Sequence, residues 1–187
     1  MMARSLPYFL SAAVCFLVAA LLLIRVGLPE RSEGTALVNT GDTLVAPEIG
    51  AIAPPFTAHT IDGKTITLDD LRGQPVMVNF WATWCGPCRA EMPELQHLYE
   101  RHADDGLRIV AVNLGESEAD VAAWRDAFGL TFDLVLDPQQ EIARRYAFRD
   151  PPSTFIIAPD GTIARIFFGP IPEGQLRDAI VRFLPVS

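Results

Sequence analysis

Two of the chain's three cysteines stand three residues apart in Trp84-Cys85-Gly86-Pro87-Cys88. A lone Cys-x-x-Cys is either a redox pair or half of a zinc site. Zinc would need two further ligands, and His59, His97 and His102 offer no close pair of them. No metal and no cofactor are therefore expected. What remains is thiol–disulfide exchange: a thiolate attacks a disulfide sulfur, and a second thiol resolves the mixed disulfide. Cys85, at the start of a helix, is the expected nucleophile, with an exposed sulfur. Cys88, one turn along and tucked inside, is the expected resolving thiol. Orphan backbone N–H groups and the positive end of the helix dipole favour a thiolate there. Gly86 lets a partner approach closely, and Pro87, without an N–H, suits the first turn and stiffens the loop. Trp84 offers substrate an apolar platform.

Glu91 follows Cys88 by three residues, on nearly the same helical face. A carboxylate there could take the inner thiol's proton before the resolving attack. The plain alternative is a solvated helix residue.

These side chains need a strand to deliver them and a helix to hold them. Pro75 to Trp81 is a continuous apolar run, the pattern of a strand buried on both faces. A helical pattern follows from Arg89 to His102, and Pro93 inside it predicts a kink near Ala90. Leu107 to Leu114 reads as a second buried strand. Ser117 caps a helix that runs to Phe128 and is stopped by Gly129. Leu134 to Leu136 is a short strand. Asp137-Pro138 opens a further helix to about Tyr146, with proline at its first position. Ser153 to Ala158 and Thr162 to Phe168 are strands joined by a two-residue turn at Asp160-Gly161. The last helix runs from about Glu173 to Leu184. Upstream, Phe56 to Ile61 and Lys64 to Leu68 form a hairpin around Asp62-Gly63. Alternating strands and helices with a terminal hairpin predict an α/β fold, a three-layer α/β/α sandwich around a mixed central sheet. Phe80, Trp81 and Trp124 belong to its core.

Leu6 to Ile24 is 19 residues without a charge. As a helix it would be about 28 Å long, close to the hydrocarbon thickness of a bilayer. No small-x-small cleavage site follows it, so residues 1–28 read as a cytoplasmic stub and a single transmembrane signal anchor. Cys15 lies inside that span, with no chemistry expected of it. Residues 29–48 read as a linker and 49–187 as the globular domain. All 23 acidic residues but only 13 of the 15 basic ones lie beyond residue 29, so that part carries −10. An acidic body argues against a nucleic-acid partner. The basic residues near the span do not decide its orientation. A compartment that oxidises thiols is where a tethered reductant is needed, so the domain is expected on the extracytoplasmic (periplasmic) side.

The stretch Phe80-Trp81-Ala82-Thr83-Trp84-Cys85-Gly86-Pro87-Cys88-Arg89-Ala90-Glu91-Met92-Pro93 resembles the active site of the membrane-anchored thioredoxin-like proteins of the TlpA/ResA type. Ala53-Pro54-Pro55-Phe56, Asp62-Gly63-Lys64, Leu71-Arg72-Gly73 and Pro152-Ser153-Thr154-Phe155 match that family too, so the likeness covers about residues 49 to 184. It implies a thioredoxin-like fold with an N-terminal β-hairpin extension and a redox-active Cys85–Cys88 disulfide. It also implies an acid at Glu91 that tunes the cysteines, and a cis-proline at Pro152 that supports the substrate strand. In relatives the residue before that proline pairs with bound substrate through its backbone. Here it is Pro151, which has no N–H to donate, so narrower peptide recognition is expected. Asn79 stands where cytosolic thioredoxins place a buried aspartate, and an amide cannot accept that proton. The resemblance further implies client proteins with disulfides, such as apocytochrome c or a copper-site protein, and an integral membrane thiol reductase as electron donor. A copper-binding metallochaperone on the same two cysteines, or a thiol peroxidase, are the competing readings.

Overall fold

The structure, a computed structural model, describes residues 44–172 and 174–184. The expected span at Leu6 to Ile24, Cys15 within it, and most of the expected linker lie outside these residues. Among the described residues no helix is long and apolar enough to cross a membrane.

The hairpin strands β1 (Thr57–His59) and β2 (Thr65–Thr67) pair antiparallel, with Ala58 opposite Ile66, and lead into a 3₁₀ turn at Leu68–Leu71. Then follow β3 (Val76–Trp81), α1 (Gly86–His102), β4 (Arg108–Asn113), α2 (Glu118–Phe128) and β5 (Asp133–Leu136). The chain closes with α3 (Glu141–Arg145), β6 (Ser153–Ile157), β7 (Ile163–Phe168) and α4 (Gln175–Val181). Five strands make one mixed sheet in the order β5-β4-β3-β6-β7. β3, β4 and β5 run parallel, with α1 and α2 as crossovers, while β6 is antiparallel to both β3 and β7.

Side chains of β3 alternate between two cores, as the period of a strand requires. Met77 and Trp81 join Met92 and Leu95 of α1, Trp124 of α2 and Ile180 of α4. Val76, Val78 and Phe80 join Phe56, Leu71, Ile142 and Tyr146 on the opposite face. The expected three layers are present, and the outer layer on that second face combines the hairpin, the 3₁₀ turn and α3. Phe80, Trp81 and Trp124 are core residues, and the indole rings of Trp81 and Trp124 lie 5.5 Å apart. All six residues of β3 are buried, and burying one large apolar side chain contributes about 1.5–3 kcal/mol. A strand paired on both edges and buried on both faces is a rigid base for the loop that follows it.

Some local expectations are corrected. The Asp160-Gly161 turn is a three-residue loop: the Ala158 N–H donates to the Thr162 carbonyl at 2.8 Å. The hairpin turn closes likewise, Thr60 N–H to Lys64 carbonyl at 2.9 Å. Gly63 (φ 76°) and Gly161 (φ 85°) take the left-handed conformation that such loops need at their last residue. Helix α3 starts at Glu141, so Pro138 is not its first residue. The Asp137 carboxylate accepts the Glu141 and Ala143 N–H groups at 2.8 and 2.9 Å, capping the helix from outside it. Helix α1 starts at Gly86, directly after its N-cap Cys85 as expected, and includes Pro93 on its way to His102. Helix α4 is shorter than expected at both ends.

Candidate active site

Trp81 ends β3, and Ala82, Thr83 and Trp84 carry the chain to Cys85, the N-cap of α1. Pro87 sits in the first turn, where its missing N–H leaves nothing unsatisfied that the helix would have paired. Cys85 and Cys88 form a disulfide, with an S–S distance of 2.03 Å and Cα atoms 5.3 Å apart. The Cys88 N–H points at Cys85 Sγ from 3.1 Å. A capping sulfur so placed receives the orphan donors of the first turn, which stabilise a thiolate once the disulfide opens.

The expected exposure of Cys85 is not found in this oxidised form. Cys85 is 4% exposed and Cys88 1%. As N-cap, the Cys85 side chain folds back over the first turn toward the Cys88 N–H, and the bond to Cys88 holds it there. Gly86 and Pro87 are exposed beside it, and Trp84 is 68% exposed.

Glu91 is not a solvated helix residue. It is buried, 7% exposed, on the inner side of α1. Its Oε1 accepts the Ile171 N–H at 2.6 Å, and its Oε2 is buried without a partner. Burial pushes its pKa up from 4.5 to about 7; the bond from Ile171 opposes that rise and the charge of Glu94 adds to it. An open groove runs past this carboxylate, lined by Pro87, Ala90, Pro93, His97 and Pro170.

The Pro151–Pro152 peptide bond is cis. Pro152 is buried and Pro151 half-buried. The Pro152 carbonyl accepts the Gly169 N–H at 2.8 Å, which ties it to the end of β7. Ser153 faces Phe80 across the antiparallel β3–β6 pair. The chain leaving β3 for Cys85 and the chain entering β6 from Pro152 therefore meet the sheet at one end. Asn79 lies within that pair, buried, its Nδ2 donating to Thr154 Oγ1 at 2.9 Å. It links two strands and cannot serve as an acid or a base.

Two features escaped the sequence reading. The Arg89 guanidinium lies 4.5 Å from the Trp124 ring centroid and 5.8 Å from that of Phe128, a cation–π arrangement on the exposed side of α1. Glu116, in the loop after β4, accepts the Thr83 N–H at 2.7 Å and the Asn113 side-chain amide at 2.6 Å, and also the Thr83 hydroxyl. The one available signal was its position: an acid just past the carboxyl end of a buried parallel strand, where sites gather in open α/β sheets. Among the described residues, no three His, Cys, Asp or Glu side chains cluster as a metal site.

Residues 49–166 match the AhpC/TSA family. The thiol-disulfide oxidoreductase ResA of Geobacillus thermodenitrificans is 36% identical over 146 residues, 78% of this chain and 83% of that protein. ResA of Bacillus subtilis is 37% identical over 129 residues, 69% of this chain and 72% of that protein. A solved Chlorobium tepidum structure, assigned as the thiol:disulfide interchange protein DsbE, matches with a TM-score of 0.69 at 28% identity. That match covers 74% of this chain and 99% of the other.

Proposed function

The chain belongs to the AhpC/TSA family and is a ResA-like thiol-disulfide oxidoreductase of thioredoxin-like fold, a protein-disulfide reductase; from that premise we propose that it works tethered to the membrane, outside the cytoplasm, on a narrow set of clients. The observation that carries the chemistry is the Cys85–Cys88 disulfide at a helix N-cap, with the Cys88 N–H 3.1 Å from Cys85 Sγ.

In the reduced protein the Cys85 thiolate attacks one sulfur of a client disulfide, and the client's other sulfur leaves as a thiolate. Glu91, partly ionised near neutral pH, receives the Cys88 proton. The Cys88 thiolate then attacks Cys85 Sγ, breaks the mixed disulfide and releases the second client thiolate. Two electrons pass to the client, and the Cys85–Cys88 disulfide is left behind. Trp84, Gly86 and Pro87 form one wall of the client's path, and Pro151 and Pro152 the other. With no N–H on Pro151, a bound client strand pairs at that residue only with the carbonyl.

The 19 uncharged residues from Leu6 to Ile24 support the anchor. Relatives of the TlpA/ResA type support clients such as apocytochrome c awaiting haem or a copper-site protein, and an integral membrane thiol reductase that returns the electrons. A Cys88→Ala variant expressed in membranes tests this. It should accumulate disulfide-linked clients through Cys85, and their identification names the pathway. No adduct with Cys88→Ala, or equal adducts with Cys85→Ala, would overturn the assignment of roles.

A further inference from the structure

The loop between β3 and the dithiol is held at a point that thiol chemistry itself does not need. Three donors converge on the Glu116 carboxylate: the Thr83 N–H at 2.7 Å, the Thr83 hydroxyl, and the Asn113 side-chain amide at 2.6 Å. The Glu116 N–H returns a bond to Asn113 Oδ1 at 3.0 Å. Asn113 is the last residue of β4, fully buried and paired with Trp81. The clamp therefore anchors Thr83 to the rigid ends of two neighbouring strands. On the other side of Trp84, the Cys85 N–H donates to the Ala82 carbonyl at 3.2 Å. Trp84 thus has a backbone fixed on both sides, while its side chain is 68% exposed.

A large aromatic on a fixed backbone gives contact area at a low entropic cost on binding. An exposed tryptophan on a loop without such a clamp would lose much of that advantage. We propose that Glu116 is a positioning residue for client recognition: through Thr83 it presents Trp84 to the apolar part of the client segment beside the attacked disulfide. This rests on the reductase reading above and assigns Glu116 no part in bond making.

Reduction kinetics with a protein disulfide (insulin) and with a small aromatic disulfide, 5,5′-dithiobis(2-nitrobenzoic acid), separate the two ideas. Glu116→Ala removes both accepting oxygens and leaves all three donors without their partner. It should raise KM for insulin about three- to tenfold, with kcat and the small-disulfide rate within twofold of wild type. Trp84→Ala should raise KM for insulin at least as much, and the double variant should be no worse than Trp84→Ala alone, because both act through one contact. Thr83→Val, which removes only the hydroxyl donor, should show a smaller rise of at least twofold and serves if Glu116→Ala does not fold. Additive effects in the double variant, or an equal loss with both substrates, would overturn the proposal. A wild-type protein that reduces neither disulfide would instead overturn the reductase reading.

Discussion

Glu91 and Ile171 are joined by a hydrogen bond of 2.6 Å from the Ile171 N–H to Oε1, and the other carboxylate oxygen, Oε2, is buried and unpaired. One residue thereby links the dithiol helix to the segment after β7 and leaves one buried carboxylate oxygen without a hydrogen bond.

That pairing predicts a pH dependence. Burial raises the Glu91 pKa from 4.5 to about 7, so between these values the folded protein holds a proton that the unfolded chain has released. Folding stability from this group is therefore full below about pH 4.5 and declines as pH rises toward 7. The loss is on the order of 3 kcal/mol at most. Glu91→Gln should flatten the decline, as read by urea unfolding at pH 5 and pH 7.5. The rate of client reduction should rise through pH 7 in the wild type, and that inflection should vanish in the variant. An unchanged rate profile would remove Glu91 from the proton-transfer role.

Pro151→Thr restores a backbone N–H next to Pro152. One added hydrogen bond is worth about 0.5–1.5 kcal/mol, or roughly two- to tenfold in client capture. In a Cys88→Ala background the variant should trap more client protein per unit time, measured on non-reducing gels. Equal trapping by the two proteins would show that Pro151 does not limit recognition.

Thr154→Val removes the acceptor of the Asn79 side-chain amide. Since Asn79 is buried and its Oδ1 already lacks a partner, the new orphan donor should cost about 1–3 kcal/mol of stability. Denaturant unfolding checks this, and a loss under about 0.5 kcal/mol would mean that the pair carries no load in the sheet.

Asp137→Ala should destabilise α3. Its carboxylate satisfies two of the helix's orphan N–H groups, and losing a cap of this kind costs about 1–2 kcal/mol. Amide exchange at Glu141 and Ala143 should quicken more than exchange in β3. Uniform acceleration across the domain would show a global effect instead.

The dithiol, the strand before it and the helix after it were legible because their signals are local: an apolar run, a motif and a 3.6-residue period. Ser117 and the hairpins were legible for the same reason, and Ser117 Oγ does accept the Asp120 N–H at 3.2 Å. What the chain did not disclose depends on contacts between distant segments. The Glu116–Thr83 bond spans 33 residues and the Glu91–Ile171 bond spans 80. No periodicity reports that such partners meet. Pro138 satisfies the local rule for a first helical residue, but the Asp137 carboxylate takes the Glu141 and Ala143 N–H groups from outside and α3 starts at Glu141. A place at the helix start does not reveal that the Cys85 sulfur folds back over the first turn to the Cys88 N–H, which buries it.

The sheet order sets a timetable for the nascent chain. β3 lies between β4, which follows it closely, and β6, whose Thr154 bonds to Asn79 across 75 residues. At synthesis rates of about 5–20 residues per second, those residues arrive about 4–15 s after β3. For that interval both thiols exist without the Pro151–Pro152 wall. If Pro151 and Pro152 select clients as proposed above, the chain completes its dithiol before the segment that restricts it.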